Sequence, residues 1–359
     1  MPPLSALRFF PPGFLDRRGQ SDKLSAMNDK IEIGIISLGV MGQRMLSRML
    51  EHPRARAVVA WDPNPSAVAE ARRNHPGLAI AATPEEVIAA PGLRAVYIAS
   101  PPASHLAYAH QGFDAGLAVF CEKPLTVDFA AGRKAIARIE AERLRSAVNF
   151  SLASSPGLAA MTAAIRDGSI GAPQRVEIEL AFDQWPRGWQ AAAGRWLAER
   201  AEGGFSREVL SHFVFVLQRA LGQAQVEESR PDYPADGLSS ERALRARLRA
   251  GGVPVSVEAK VGGTLPDFNR MTLVGSSGSI ELHDWFGLRR RRGDGDWIAQ
   301  GTPQSNRQFG QLAQLDQFVA MAEGKAHTLP SFAEALAVQE TIEAILKNDR
   351  SDTQRALAR

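Results

Sequence analysis

The sequence predicts an α/β protein with two domains, the first built on a doubly wound, mostly parallel sheet and the second of α+β type. The chain has 359 residues, and a domain commonly holds roughly 100–200. Its first half alternates short apolar segments with amphipathic ones, which is the pattern of strands and helices in a parallel sheet. Its second half contains strands that alternate polar and apolar residues. We therefore expect a flexible N-terminal extension over residues 1–29, a first domain over 30–149 and a second over 150–359.

Composition excludes several classes of protein. Lys and Arg total 42 against 39 Asp and Glu, and the only dense basic run is Arg289–Arg292. A nucleic-acid footprint needs a more sustained basic stripe, so no nucleic-acid partner is expected. The single cysteine, Cys121, excludes an internal disulfide and a cysteine-rich metal site, and it fits a reducing, cytoplasmic location. No apolar run reaches the ~18 residues that a membrane span needs.

The N-terminal extension is rich in proline and glycine and includes Arg17 and Arg18. No apolar segment follows that arginine pair, so an export signal is not expected. Met27 immediately precedes the first predicted strand. We take Met27 as the hypothetical natural start, with residues 1–26 as an extension without a fold.

Hydrophobic patterns and end signals assign the elements of the first half. Thr83, Pro84 and Glu86 are a typical helix start, with an N-cap, a proline at the first helical position and an acid at the third. The predicted strands cover residues 31–36, 57–61, 79–81, 95–99, 118–121 and 146–150. The predicted helices cover residues 43–51, 66–74, 104–115 and 126–144, with a short one from 83.

A glycine-containing turn follows the first strand. It reads Ser37, Leu38, Gly39, Val40, Met41, Gly42, which is the dinucleotide fingerprint with serine in place of its first glycine. Gly39, the second glycine of the fingerprint, would let the backbone approach a pyrophosphate. Gly42, the third, would let helix and strand pack closely. The free N–H groups of the following helix would hold the anion. A strand–helix turn without a ligand is the alternative interpretation.

Asp62 favours a dinucleotide site over a turn without a ligand, because it lies twenty residues after Gly42 at the end of the second predicted strand. An acid there accepts hydrogen bonds from the adenosine ribose. It would repel a 2′-phosphate, and no arginine adjoins it, so NAD is favoured over NADP. Alternatively, Asp62 only opens the turn formed with Pro63 and Asn64.

Later motifs resemble one family. The segments 96–105 (VYIASPPASH) and 119–125 (VFCEKPL), then Gly203-Gly204 with Glu208 and His212, resemble the glucose–fructose oxidoreductase, inositol dehydrogenase and rhizopine-catabolism (Gfo/Idh/MocA) family. Segments 275–282, 314–318 and 331–336 also fit, so the resemblance covers essentially residues 31–347. It implies an open, mostly antiparallel sheet in the second domain, C-terminal helices that can pack back on the first, and a homodimer or homotetramer formed through that sheet.

The resemblance also implies an oxidoreductase that transfers a hydride between NAD and a carbinol or carbonyl carbon of a sugar, cyclitol or related polyol. It assigns catalysis to Lys123, His212 and Glu208. The expected cofactor-binding residues are Ser37, Leu38, Gly39, Val40, Met41, Gly42, Asp62, Ser100, Pro101, His105, Glu122 and Lys123.

Three departures from the family pattern bear on cofactor and substrate. Ser37 replaces a glycine, Glu208 stands where the family usually has aspartate, and segment 149–156 lacks an arginine common in this region. A loop rich in tryptophan and arginine, with Trp185, Arg187, Trp189, Arg195 and Trp196, could close over a sugar. Aromatic packing between domains explains that loop equally well.

The proposed reaction needs a base for the substrate hydroxyl. His212 suits that role through its ordinary pKa of about 6.5, Lys123 would stabilise the developing charge on oxygen or relay the proton, and Glu208 would orient either of them. The sequence leaves open which of Lys123 and His212 takes the proton. Histidine spacing suggests no metal site. The competing functions are an NAD-dependent glycosidase without net redox change and a nucleotide-sensing regulatory protein.

Overall fold

A computed structural model describes residues 30–193, 195–262 and 267–347, and the side chains of residues 191–195 are not described. The extension predicted over residues 1–29, with its hypothetical start at Met27, lies outside the described residues, as does the side chain of Arg195.

The first sheet has six parallel strands in the order β3-β2-β1-β4-β5-β6. They are β1 (Ile31–Ile36), β2 (Ala55–Trp61), β3 (Ala79–Ile80), β4 (Ala95–Ile98), β5 (Ala118–Glu122) and β6 (Ser146–Asn149). Strand order reverses beside β1, between β2 and β4. The carboxyl ends of these strands therefore form the edge at which such a sheet binds ligands.

Helices cover both faces of this sheet, as in a doubly wound fold. The chain supplies α1 (Val40–Glu51), α2 (Pro65–Asn74), α3 (Pro84–Ile88), α4 (Pro102–Asp114) and α5 (Phe129–Glu142). One face is also covered by a late helix, α8 (Pro303–Ala322), whose Phe318 ring lies 4.8 Å from that of Phe120 in β5. Another late helix, α9 (Phe332–Lys347), packs on the other face, where Leu336 meets Gly132 of α5.

The second sheet has eight strands in the order β14-β13-β12-β11-β7-β10-β9-β8. Among the described strands of this second sheet, only the β7–β10 pairing is parallel, so the sheet is mostly antiparallel. The strands are β7 (Pro173–Phe182), β8 (Ala224–Asp232), β9 (Ala243–Ala250), β10 (Val253–Val261), β11 (Phe268–Gly275), β12 (Gly278–His283), β13 (Gly287–Arg292) and β14 (Ile298–Ala299). Both predicted sheets are thereby confirmed.

Two helices, α6 (Pro156–Arg166) and α7 (Ser211–Leu221), share one hydrophobic core with the inner face of the second sheet. The sequence predicts a single helix over 205–221. The structure instead begins that helix with a π-helical turn, Ser206–Leu210, which continues into α7. The buried carboxylate of Glu241 accepts a hydrogen bond of 2.7 Å from the Ser206 N–H and so secures the start of the turn. Such π-turns are frequent at functional sites.

Candidate active site

The turn after β1 holds Ser37 in a left-handed conformation, with φ of 79°. Glycine adopts this region freely, whereas a side chain pays a steric cost. The serine hydroxyl donates a hydrogen bond of 3.0 Å to Asp62 at the end of β2, which offsets part of that cost. Gly42 is sterically required, because a Cβ there would lie 2.0 Å from the Ser37 carbonyl oxygen. The sequence therefore keeps the shape of the fingerprint turn without its first glycine.

Asp62 is bonded to this turn through Oδ2 and to the turn that follows β2 through Oδ1. Oδ2 accepts hydrogen bonds from the Ser37 hydroxyl and, at 2.6 Å, from the Leu38 N–H, while Oδ1 accepts one of 2.7 Å from the Asn64 N–H. The last bond is the turn-opening contact that the sequence offered as the alternative role for Asp62. A carboxylate has about four acceptor positions. Asp62 thus has room for about one further donor.

The start of α1 is suited to an anion. Gly39 is its N-cap, no side chain caps the helix, and no acidic residue lies in its first turn. A Cβ on Gly39 would meet only the Ser37 hydroxyl, at 3.8 Å, so the space above this glycine is open. Val40 and Met41 begin the helix and are half-buried, and Leu38 is buried beneath the turn. An uncapped helix start with open space beside it fits the pyrophosphate of a dinucleotide.

The end of β4 contributes Ser100 and Pro101 to the same edge of the sheet. Pro101 is exposed and is the N-cap of α4, whereas Ser100 is buried. His105 lies beneath them, with Nδ1 2.9 Å from the Pro124 carbonyl oxygen and Nε2 2.6 Å from that of Ser100. Burial lowers the pKa of His105, although both carbonyls act in the opposite direction. Both ring nitrogens face the main chain, so His105 connects the ends of β4 and β5 from below.

Glu122 is buried in a polar network that sequence reasoning missed. Its carboxylate is bonded by the Tyr97 hydroxyl, by the Asn149 amide at 2.7 Å and by the Lys123 N–H at 3.3 Å. Gln314 of α8 completes the network through the Asn149 side chain, at 2.6 Å. Burial raises the pKa of Glu122, and its hydrogen bonds and Lys123 oppose that rise. In the sequence, the only sign of this network is one polar residue at the end of each of the strands β5 and β6.

Lys123 reaches across to the π-turn. Its Nζ lies 2.9 Å from Glu208 Oε2 and donates a hydrogen bond of 3.3 Å to the Glu208 carbonyl oxygen. The two side chains are only 10% and 16% exposed, so solvent screens this pair weakly. The structure thus brings Lys123 and Glu208 together. No hydrogen bond joins Glu208 to His212 within the described part of the chain, since the π-turn changes the α-helical spacing between them.

His212 is buried and its ring stands between two aromatic edges. The Phe150 and Trp285 ring centres lie 5.6 and 5.3 Å from its own. Its Nδ1 has no hydrogen-bond partner among the described residues. Burial, assisted by the positive charges of Lys123 and Arg187, holds the pKa of His212 well below its ordinary value. The imidazole is therefore neutral at neutral pH, the form in which one ring nitrogen is a hydrogen-bond acceptor.

Trp285 was missed by sequence reasoning and is placed by a strained turn between β12 and β13. Asp284 and Trp285 both adopt left-handed backbone conformations, with φ of 46° and 67°. The buried Asn269 side chain accepts a hydrogen bond of 2.7 Å from the Trp285 N–H and stabilises that conformation. Residues strained in this way cluster at functional sites.

The tryptophan–arginine loop after β7 lies over the same region. Arg187 has its Cζ 5.8 Å from the Trp285 ring centre and 4.9 Å from that of Trp189. Trp189 is half exposed, and Arg44 of α1 stacks on its ring at 4.7 Å. Trp196 instead lines a cavity of about 290 Å³ with Lys123 and Phe150. That cavity extends to α9 and offers room for a small molecule beside Lys123.

No group of three or more His, Cys, Asp or Glu among the described residues could hold a metal ion. No helix among them is long and apolar enough to cross a membrane.

Family models match both halves of the chain. Residues 31–150 match "Oxidoreductase family, NAD-binding Rossmann fold", and residues 162–357 match "Oxidoreductase family, C-terminal alpha/beta domain", the two Gfo/Idh/MocA models. An inositol 2-dehydrogenase from Ralstonia nicotianae is 27% identical over 332 residues, which cover 89% of this chain and 94% of that protein.

Solved structures share the fold. An oxidoreductase from Agrobacterium radiobacter, in complex with NAD⁺, L-tartaric acid and magnesium, aligns with a TM-score of 0.76 at 16% identity, over 89% of this chain and 96% of that one. The WlbA dehydrogenase from Bordetella pertussis, in complex with NADH and UDP-GlcNAcA, aligns with a TM-score of 0.75 at 20% identity, over 90% and 97%.

These findings confirm the predicted fold, the NAD cofactor and a dehydrogenase acting on CH–OH groups. Matches to both family models, which together span most of the chain, show that it belongs to the Gfo/Idh/MocA family of NAD-dependent oxidoreductases.

Proposed function

We propose that this oxidoreductase transfers a hydride between NAD and a carbinol or carbonyl carbon of a sugar, cyclitol or related polyol, with Lys123, Glu208 and His212 as its catalytic residues. One observation carries the proposal. A lysine–glutamate pair 2.9 Å apart stands beside a buried, neutral histidine whose Nδ1 has no partner in the described chain. The related inositol 2-dehydrogenase supports a polyol as the substrate class.

Cofactor binding is assigned to the turn after β1 and to the carboxyl edge of the first sheet. The start of α1 at Gly39 would hold the pyrophosphate, and the remaining acceptor position of Asp62 would bind the adenosine ribose. Ser100, Pro101 and the backbone at Glu122 and Lys123 would line the nicotinamide end. When bound, NAD supplies the hydride acceptor or donor.

His212 is proposed as the group that exchanges the proton with the substrate oxygen. Its neutral imidazole can accept the hydroxyl proton during oxidation and return it during reduction. Lys123, as an ammonium, would donate a hydrogen bond to the same oxygen and stabilise negative charge on it. Glu208 holds the Lys123 Nζ through its carboxylate and its carbonyl oxygen, and so fixes its position.

The test is a screen for NADH formation with sugars, cyclitols and hydroxy acids, followed by variants of the two central residues. Lys123→Ala and His212→Gln should each lower turnover by about 10²–10⁴, the usual contribution of a positioned acid–base group. NADH binding, followed by fluorescence, should change little. Lys134→Ala, an exposed lysine of α5, is the matched control. Wild-type turnover in both site variants would contradict the proposed roles.

The same screen separates the competing functions. A glycosidase that regenerates its NAD would release product without net NADH, and a sensor would bind NADH without turning over any compound.

We further propose a cytoplasmic homodimer or homotetramer that associates through the outer face of the eight-stranded sheet. Exposed residues alternate regularly along β9 and β10, so no helix of the described chain covers that face there. Its arginines pair with carboxylates of neighbouring strands, as Arg249 does with Glu227 at 2.6 Å. Light scattering would give the oligomer mass. A monomer at working concentration would contradict this part of the proposal.

A further inference from the structure

Arg187 occupies an unusual place for a charged side chain. It follows β7, and four aromatic rings surround its guanidinium. The ring centres of Phe182, Trp185, Trp189 and Trp285 lie between 4.9 and 5.8 Å from its Cζ. Such rings attract a cation through their faces but cannot neutralise its charge.

No carboxylate forms an ion pair with Arg187 in the described part of the chain. Its Nε donates a hydrogen bond of 3.0 Å to Gln190 Oε1, and no bond of its terminal nitrogens to a described residue is present. Arg207 shows the usual alternative, since it pairs with Glu343 through two nitrogens at 2.5 and 3.1 Å. Burial lowers the pKa of Arg187. The carboxylates of Asp267 and Glu208 oppose that lowering from a distance, but neither is bonded to the guanidinium in the described part of the chain. The two terminal nitrogens are therefore available to a ligand.

This cation adjoins the proposed catalytic centre. Trp285 is the shared neighbour, because its ring centre lies 5.8 Å from Arg187 Cζ and 5.3 Å from the ring centre of His212. The charge of Arg187 also contributes to the lowered pKa of His212. The guanidinium carbon and the centre of the imidazole ring therefore lie at most about 11 Å apart.

The charges of the site indicate the sign of the charge that a molecule bound there should carry. Lys123 and Glu208 neutralise one another across 2.9 Å, and His212 is neutral. Asp267 and Glu208 act on Arg187 only at a distance, so Arg187 is the charge of this cluster that has no directly bonded counterion among the described residues. A substrate with one negative group would bond its terminal nitrogens directly, whereas a neutral polyol would offer them no ionic partner.

We infer that the substrate carries a carboxylate that Arg187 binds, so that the enzyme acts on acidic polyols such as sugar acids rather than on neutral sugars or cyclitols. This inference rests on the proposed function and specifies its substrate class. The planar guanidinium offers two parallel N–H donors that match the two oxygens of a carboxylate. The aromatic rings packed around the guanidinium restrict the orientation of its plane.

The experiment compares matched acidic and neutral compounds, namely D-glucuronate with D-glucose and D-gluconate with D-glucitol. Calorimetry measures their binding to the protein–NADH complex, and NADH formation measures turnover. Wild type should bind an acid at least tenfold more tightly than its neutral partner. Arg187→Met keeps the aliphatic stem among the rings and removes the charge. It should raise Kd and KM for the acid by about 30- to 1,000-fold, the usual cost of truncating one partner of a buried charge pair.

Two further variants complete the comparison. Arg187→Lys should recover only part of the acid affinity that Arg187→Met loses, because an ammonium is a point charge and lacks the two parallel N–H donors of a guanidinium. Arg166→Met, at the exposed end of α6, should match wild type. Equal binding of acid and neutral compounds by wild type would overturn the inference, as would an Arg187→Met variant that weakens both equally. Acid binding without turnover would instead support the Arg187 assignment and count against the proposed function.

Discussion

Ser37 permits a sharp test of how the cofactor turn is built, because three substitutions separate its strain from its hydrogen bond. A non-glycine residue at a φ of 79° costs about 1–3 kcal/mol. The hydrogen bond from its hydroxyl to Asp62 returns about 0.5–1.5 kcal/mol. Ser37→Ala removes the bond and keeps the strain, so it should destabilise the protein by about 1 kcal/mol. Ser37→Gly removes both, so its free energy of unfolding should match or exceed that of wild type.

The NADH affinities of the Ser37 variants should follow an order similar to that of their stabilities. Asp62 accepts three hydrogen bonds in this structure, two of them at Oδ2, and one comes from Ser37. Ser37→Gly releases that acceptor position for the ribose, so NADH should bind as tightly as in wild type or up to about tenfold more tightly, the value of one modest hydrogen bond. Ser37→Val should bind NADH more weakly and unfold more easily, since a β-branched side chain tolerates this backbone region poorly.

Urea unfolding and NADH fluorescence titration measure the two effects on the same samples. The expected order of unfolding midpoints is glycine at least equal to serine, then alanine, then valine. An alanine variant more stable than the glycine variant would refute the account of strain. A valine variant that binds NADH as well as wild type would show that the pyrophosphate is not held at this turn.

Three further predictions concern the proposed site. The Glu208→Asp variant should keep partial turnover and the Glu208→Ala variant should lose more, because only a carboxylate side chain can form the ion pair with Lys123 Nζ. Equal steady-state rates in both variants would contradict this. His212 has a pKa well below its unfolded value of about 6.5, so the stability that it contributes is present above pH 6.5 and is lost as the pH falls below it. His212→Gln should therefore lose less stability than wild type between pH 7 and 5 in urea unfolding, by at most about 1.4 kcal/mol per pH unit, and identical pH profiles would argue against a buried neutral histidine. Asp62→Ser combined with Pro63→Arg should move cofactor preference toward NADP in binding titrations, and unchanged preference would count against the ribose assignment.

The elements of the first sheet could be predicted because each combines an apolar strand with a local end signal. The observed ends of these elements differ from the predicted ends by a few residues where a side chain sets the boundary. The helix predicted from 126 begins at Phe129, since the Asp128 side chain caps it by accepting hydrogen bonds from Ala130 and Ala131. The π-turn of Ser206–Leu210 could not be predicted, because its residues are equally compatible with an α-helix. What maintains it includes a contact from Glu241, which is 35 residues away in sequence.

The residues of the proposed site also differ in whether a local motif or a distant contact determines their position. Lys123, Glu208 and His212 stand in motifs, so the sequence identified them, but their pairing depends on where the π-turn directs Glu208. Trp285 belongs to no motif, and its place beside His212 depends on a left-handed backbone that Asn269 stabilises from the neighbouring strand. The fold therefore accepts about 1–3 kcal/mol of backbone strain at Trp285 and holds its indole ring near both the proposed base and Arg187. Because residues strained to this extent cluster at functional sites, the structure adds Trp285 and Arg187, as proposed determinants of substrate choice, to the motif residues proposed for the chemistry.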